Sequence, residues 1–525
     1  MKKNKVLFGK DLKKVLKGMA IVDRVVGSTM GAAGKQVGYR SDYSQRPVAT
    51  NDGITAAKLI NLEDETEQFG VEVGFQAAER TNEEVGDATS TAIVLNYAMC
   101  EAGLEKVLDK KLLGIRYKKG VNAMVLGRQM RESVSKITDR LKEMAKPIKT
   151  DEELFNIANI SMENPVIAKI ISDSVKKVGE NGIVLVEESA GIEIERVDVD
   201  GFKFDKGYVT PYSATNFNTM ESVLNDTYVL VTNKTFNLNK EIFDIIETLN
   251  SQNVKTLLII CSGMGGEILS TVITNRRNGV FNCVAVEKPH DENVLQDIAT
   301  LVGAELITNE NHPADISGLD ITSLGKVSKA IITKDSTLLI GGVGDKTKIE
   351  DRIAIIKKDI LETESPYAKE RFKERLAKLT GGVVILKVGA PTEADMKYMK
   401  LKVDDAVAAT RAALEEGVVI GGGKTLYDIG CEKPTNEGDE VVKYACRQPM
   451  AWIMKNAGFT GKVGAGEVFN ALTNRITTTP IEDGIVDPAK AERCALKNSV
   501  SSAATFIAEG TVIIEIPHKN GQTVI

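Results

Sequence analysis

The feature that most constrains this chain is a change of pattern that reverses itself. Near residue 12 the apolar positions Val15, Leu16, Met19, Val22 and Val26 recur every three or four residues, which predicts an amphipathic helix ending at Gly27-Ser28. Residues 29–53 read as loops and short strands, and Ala-rich helical patterns run from about Asp64 to Ala145. Near residue 180 the character becomes α/β. Ile183 to Val186 is an apolar run, and Ile192, Ile194, Val197 and Val199 alternate with charged residues as in a strand. Further runs at Thr256 to Ile260, Cys283 to Val286 and Ala330 to Thr333 are separated by helical stretches. From Lys346 to Leu379 the pattern is helical, interrupted at Pro366. A strand-like run follows from Val383 to Val388, then a helix through Ala406 to Leu414. The last hundred residues are Ala-rich helices that end in a strand-like Thr511 to Ile516. The order helical, α/β, helical fits a middle domain inserted into a discontinuous helical one. It fits a string of three domains equally well.

Composition narrows the class. A chain of 525 residues is expected to form two to four domains. The net charge of −6 argues against a nucleic-acid groove, because phosphate binding needs a basic face. No run reaches the roughly 18 apolar residues of a membrane span. The basic Met1 to Lys5 is not followed by the apolar stretch of a signal peptide, so a cytoplasmic location is expected. Cys100, Cys261, Cys283, Cys431, Cys446 and Cys494 form no C-x-x-C pair and read as scattered reduced thiols. His290, His312 and His518 are too far apart in sequence to form a ligand pair, which weakens a zinc site and a His-based triad.

Four segments carry chemistry. Gly86-Asp87-Ala88-Thr89-Ser90-Thr91-Ala92 combines small residues, hydroxyls and a carboxylate ahead of an apolar helix. Backbone N–H groups there suit an anion, and Asp87 suits Mg2+ held against phosphate; a plain N-cap with Thr-rich packing gives the same pattern. Thr50-Asn51-Asp52-Gly53 puts a carboxylate at the tip of a turn, and can be only a turn. Asp404-Asp405 reads as opening a helix, where acids match the dipole. That helix leads to Gly421-Gly422-Gly423, which would expose amides to a nearby phosphate. Gly423-Lys424-Thr425 imitates a Walker loop, but Val418 stands where its first glycine belongs and a helix is expected before it. Gly484-Ile485-Val486-Asp487-Pro488, preceded by Phe469-Asn470-Ala471, reads as loop.

In order and spacing these segments resemble a bacterial GroEL-type (group I) chaperonin over nearly the whole chain. Ala409-Thr410-Arg411-Ala412-Ala413 with its following glycines is the most specific stretch. Val178 to Gly182, Phe204 to Tyr208, Leu295 to Leu301 and Leu379 to Val383 also look like family segments. The resemblance implies an α+β multidomain fold. A mainly helical equatorial ATP-binding domain would span 1–143 and 416–525, with a small α/β intermediate hinge at 144–200 and 384–415. An α/β apical domain at 201–383 would be inserted in the middle. It implies an ATP-dependent folding machine that binds non-native proteins, works with a GroES-type lid and forms seven-subunit rings, single or double, with ATP, Mg2+ and K+ as cofactors. Nucleic acid and membrane are not expected partners.

By the same resemblance Asp87 would hold Mg2+, and Thr89, Ser90 and Thr91 would line the phosphates, approached by Thr29 and Gly31. Asp405 would orient or activate the attacking water, assisted by Asp52. Gly422, Asn470, Ala471 and Asp487 would hold the ribose and purine. An apical apolar stripe for clients and lid would comprise Tyr208, Tyr212, Phe243, Ile246, Leu269 and Ile273. Spacing alone reads these residues as ordinary core.

The sequence departs from the family at several places. Ala88 stands where Gly is usual, Asn51 where Lys is usual, and Met30 to Gly34 lacks the usual Gly-Pro-Lys-Gly. Ser213 and Thr274 replace apolar residues of the stripe, which should weaken it. A basic insertion of roughly ten residues near Asp109–Lys119, and a divergent Phe459–Gly464, predict altered ring pairing. The family's Gly-Met-rich tail has no counterpart in Asn520 to Ile525, so its effects on the cavity floor should be missing. Two other functions stay open: a passive holding chaperone or scaffold ring, and a small-molecule kinase built on Lys424.

Overall fold

The computed structural model describes residues 3–8, 11–39, 48–50, 53–108, 110–112, 115–118, 120–162, 164–179, 182–189, 191–216, 220–308, 319–363, 365–380, 382–464, 466–481, 483–509 and 511–516. Asn51, Asp52, Asp109, Lys119, Glu180, Asn181, Gly381 and the last nine residues, all used in the sequence reading, lie outside this set. The chain divides into two compact units. One comprises Met1–Asp173, Glu188–Ile194 and Val388–Ile525; the other comprises Ser174–Glu187 and Glu195–Lys387. The first unit thus takes both chain ends and the second is inserted. The segments expected as a hinge divide between them, with 144–173, 188–194 and 388–415 in the first.

The first unit is a bundle of long helices. In the helix Leu12–Gly27, the predicted stripe of Val15, Met19, Val22 and Val26 is buried. It packs on the helix Glu65–Glu84 at very short range. A Cβ on Gly18 would lie 1.9 Å from the Glu67 carbonyl oxygen, and one on Gly70 would lie 1.9 Å from that of Val15. Asp64 caps the second helix by accepting from the N–H groups of Thr66 and Glu67 at 2.9 and 3.2 Å. The helix Ala489–Ala508 runs through the middle, packed against Glu65–Glu84, Thr89–Val107 and Ala123–Met144. Its buried face includes Ala495, Leu496, Ala503, Phe506 and Ile507. Strand Lys3–Phe8 pairs antiparallel with Thr511–Ile516, so the two ends of the chain close on one another.

Three expectations change here. Asp404 and Asp405 lie in the middle of the helix Glu393–Glu416, not in its first turn, so a dipole match does not explain them. Gly421-Gly422-Gly423 follows a short strand, Val418–Ile420, and not a helix. The insertion forms a two-stranded hairpin, Lys110–Leu112 with Ile115–Lys118, which breaks the run of helices.

The second unit is built on a mixed sheet of seven strands. Its main order is Asn282–Glu287, Thr256–Cys261, Ser222–Thr232, Gly325–Ile332, Thr337–Gly342, Gly201–Phe204, with Leu306–Ile307 also pairing the Ser222–Thr232 strand. The first three run parallel and the rest of that order antiparallel. Alternate residues of the parallel strands face two different cores. Val229, Val231, Leu258, Ile260, Val284 and Val286 meet the helix Glu292–Val302. Leu230, Leu257, Ile259, Cys283 and Ala285 meet the helices Phe243–Ser251 and Gly266–Arg277. Burial on both faces explains why these strands read as unbroken apolar runs. Among the helices, Asp297 is buried and accepts from Arg352 at 2.6 Å and from Arg375 at 2.9 and 3.0 Å.

The expected client stripe is only partly exposed. Tyr212 and Phe243 are 70% and 53% exposed, while Ile246, Leu269 and Ile273 are half-buried. Tyr208 is a correction: it is 7% exposed and belongs to the core on the other face of the sheet, bridged to Val286. Ser213 is buried too, and its carbonyl accepts from the Arg276 guanidinium.

Candidate nucleotide site

A cavity of about 840 Å³ opens in the first unit. Short segments that are far apart in sequence line it. The loop after Leu12–Gly27 brings Thr29, Met30, Gly31 and Ala32. This loop is pinned by the Asn456 side-chain amide, which donates to the carbonyls of Gly27 and Met30 at 2.8 and 2.9 Å. The Thr29 hydroxyl donates back to the Val26 carbonyl at 2.8 Å, leaving its lone pairs to accept.

Asp87 and the start of the helix Thr89–Val107 form one wall. The helix has no side-chain cap, so the first-turn N–H groups at Thr89, Ser90 and Thr91 get no acceptor from its N-cap residue. An anion is favoured at such an end. Gly53 packs so closely on this wall that a Cβ there would lie 2.1 Å from Ser90 Oγ. The N-cap residue is Ala88, held at φ 60° and ψ 24°, in the left-handed region where glycine is at ease. Its N–H donates to Asp87 Oδ1 at 2.6 Å. Burial pushes the Asp87 carboxyl above its ordinary range, and the Ala88 N–H opposes the shift.

Another wall is built on the strand pair Val418–Ile420 and Val486–Pro488. Asp487 stands on the second strand and lines the cavity with Gly422. Gly422 and Gly423 both have positive φ, at 66° and 69°. The glycine run packs on Asp487: a Cβ on Gly421 would lie 3.0 Å from its carboxyl carbon. Gly422 and Gly423 also line the cavity. Burial, and then the nearby Asp87 charge, push Asp487 up to about 6, against the amides of Gly422 and Gly423 and a bond from Glu492. Asn470 and Ala471 line the cavity from the turn between strands Val468–Asn470 and Arg475–Thr477. Asn470 Oδ1 is engaged in that turn, accepting from Leu472 and Thr473 N–H at 3.0 and 3.1 Å.

Asp405 reaches the same cavity from the helix Glu393–Glu416. That helix packs on Asp151–Met162 through Ile157, Ala409 and Ala413. Sequence reasoning missed three contributions. Asn156 and Asn159 line the cavity from Asp151–Met162, and Asn159 Oδ1 is buried without a donor. Glu492 lines it from the first turn of Ala489–Ala508. The asparagines sit in a segment assigned to a hinge, and an acid in a first turn reads as a dipole match, so neither stood out. Every described residue proposed for the nucleotide or for catalysis lines this one cavity. Lys424 does not; it is buried and its ammonium pairs with Asp428, which removes the kinase reading.

Five carboxylic acids (Asp87, Asp405, Asp483, Asp487 and Glu492), a helix N-terminus, hydroxyls and amides suit an anionic ligand accompanied by a cation. Among the described residues no group of three or more His, Cys, Asp or Glu side chains is arranged to hold a metal alone. Mg2+ bound through one carboxylate plus ligand phosphates and water needs no such group, and the hard oxygen of Asp87 fits it.

A model of the TCP-1/cpn60 chaperonin family matches residues 22–430. Among solved structures, the chain is similar to the chaperonin gp146 from the bacteriophage EL 2 (Pseudomonas aeruginosa), determined in the presence of ATP-BeFx. Crystal form II of that protein gives a TM-score of 0.67 at 20% identity, over 98% of this chain and 99% of that one. Crystal form I gives 0.60 at 21% identity with the same coverage.

Proposed function

Because the chain belongs to the TCP-1/cpn60 chaperonin family, we propose that it is an ATP-driven folding chaperonin whose nucleotide occupies the cavity of the first unit. One observation carries the reading: residues from five or more separate segments, chosen from sequence as nucleotide contacts, line a single cavity. The phosphates lie at the start of Thr89–Val107, among its amides and the hydroxyls of Thr89, Ser90 and Thr91. Asp87 holds Mg2+, which when bound neutralises phosphate charge. Asp487 accepts from the ribose, with Gly422 supporting it, while Asn470 and Ala471 flank the purine. Thr29 and Gly31 close over the phosphates. Asp405 accepts a proton from the attacking water or orients it, with Asp52 assisting, and positioning supplies most of the acceleration. K+ is the further cofactor of this proposal.

The three-domain division stated above extends the proposal. Clients and a GroES-type lid dock on the second unit at Tyr212, Phe243, Ile246, Leu269 and Ile273. Capture of unfolded chains there needs only apolar area, at about 25 cal/mol per Å². Tyr208 is not part of that surface. The assembly is a seven-subunit ring in the cytoplasm, and the basic hairpin at 110–118 is proposed to alter ring pairing. A holding ring with weak hydrolysis is the second reading, favoured by the Ala88 methyl group beside Asp87.

Phosphate release by purified protein tests the proposal, with electron microscopy of the same sample. Asp405→Ala is expected to slow turnover by about 10²–10⁴-fold while ATP still binds. Rings that bind ATP without turnover favour the holding role. Turnover undiminished in Asp405→Ala refutes the catalytic assignment.

A further inference from the structure

The loop assigned to the phosphates is held by a side chain that does not itself line the cavity. The loop leaves the helix Leu12–Gly27 and brings Thr29, Met30, Gly31 and Ala32 to the cavity. Met30 to Gly34 contains neither a proline to fix the backbone nor a cation to meet a phosphate. Left free, such a stretch samples many conformations, and a ligand must order it on binding. Its own hydrogen bonds close it into a turn: Gly34 N–H donates to the Gly31 carbonyl and Lys35 N–H to that of Ser28, both at 2.8 Å.

The helix Gln448–Asn456 fastens this turn from outside. The Asn456 amide nitrogen donates to two carbonyls, Gly27 at 2.8 Å and Met30 at 2.9 Å. The last carbonyls of a helix lack helical donors, so a side-chain N–H at Gly27 fills a real vacancy. One turn back, the Trp452 ring lies on Gly27, where a Cβ would come within 2.4 Å of its Cε2. Beside it, Ile453 backs Gly31, whose own Cβ would lie 3.0 Å from Ile453 Cγ2. One helix thus grips the loop at Gly27, Met30 and Gly31. Only the Asn456 contact joins both ends of the segment that carries Thr29.

We propose that Asn456 is a positioning residue for the nucleotide phosphates: by tying Gly27 to Met30 it presets Thr29 and Gly31 before the ligand arrives. Without it the loop holds the receiving conformation only part of the time, and affinity falls by that fraction. The inference rests on the ATP reading of the cavity.

Two measurements on the full chain test it together: calorimetric affinity for Mg2+-ADP, which is not turned over, and hydrogen exchange of the 29–35 amides. In the wild type these amides should exchange slowly without nucleotide and change little when Mg2+-ADP binds. In Asn456→Ala they should exchange about tenfold faster, recover on binding Mg2+-ADP, and be matched by an affinity about tenfold lower. Asn456→Asp keeps the size but not the N–H donors, and should lose at least as much. Should neither variant fold, Asn456→Ser, with one hydroxyl for two carbonyls, replaces them and is held to the same pattern. Wild-type affinity in the variants overturns the inference and leaves the ATP reading standing. So does an affinity loss with faster exchange throughout the first unit, which means a merely structural role. A wild type that binds no Mg2+-ADP sinks the ATP reading, and this inference with it.

Discussion

Replacing Ala88 by glycine should stabilise the first unit, although the same change inside a helix destabilises. Ala88 sits at φ 60° ahead of Thr89–Val107. An L-residue with a Cβ loses about 1–2 kcal/mol there. Glycine removes that strain but frees the unfolded chain, at a cost of about 0.4–1 kcal/mol. Ala88 is half-buried against the core, so losing its methyl group costs about 0.4 kcal/mol, half of a fully buried methylene. The balance is a net gain of about 0.5 kcal/mol. With a urea slope of about 3 kcal/mol/M, the midpoint should rise by about 0.2 M. Trp452, the single tryptophan, lies in the first unit against Gly27, so its emission follows the unfolding of that unit. Ala102→Gly, in the interior of the same helix, is the control and should lose about 1 kcal/mol. A fall in midpoint for Ala88→Gly equal to the control's would show that residue 88 is not strained, and the argument would fail.

Other consequences are open to direct test. Asp23 is buried and pushed up to about 7, mainly by desolvation, against a hydrogen bond from the Trp452 indole. Between roughly pH 4 and 7 the folded chain therefore binds more protons than the unfolded one, so this contribution to stability is lost as pH rises through 7. Trp452 emission should titrate with a midpoint about 7, and Asp23→Asn should abolish that transition. Gly18→Val drives a side chain into the Glu67 carbonyl and should destabilise by about 2 kcal/mol or more, read as a lower urea midpoint. Asp297→Ala strands the buried Arg375 and should lower the stability of the second unit by about 3–5 kcal/mol, measured by circular dichroism in urea.

Periodicity carried much of the fold. The 3.6-residue stripe of Leu12–Gly27 and the apolar run of Thr256–Cys261 are local signals that burial makes obligatory. The strands that hold Asp487 were harder to see, because Val418–Ile420 and Val486–Pro488 are three residues each and form only by pairing across the fold. Asp405 was misplaced within its helix because the charged stretch from Glu393 to Lys402 masks the earlier start. Tyr208 was placed on the client stripe by the resemblance, whereas the reading from spacing alone, ordinary core, is the one the fold bears out. Glu492 was invisible for a related reason: only the folded chain brings it to the cavity that Asp487 and Asp87 also line.

The pairing of Lys3–Phe8 with Thr511–Ile516, and the central place of Ala489–Ala508, bear on how the chain is made. The helices Glu65–Glu84, Thr89–Val107 and Ala123–Met144 wait for a core partner that is translated only after the whole inserted unit. At about 5–20 residues per second that delay lasts tens of seconds. The inserted unit, whose strands all lie between residues 183 and 388, is fully translated well before. A ribosome carrying this chain therefore displays a finished middle while the flanking half-bundle stands with Thr81, Ala92 and Gly103 lacking their final cover. During those seconds the nascent protein resembles the clients it is proposed to serve.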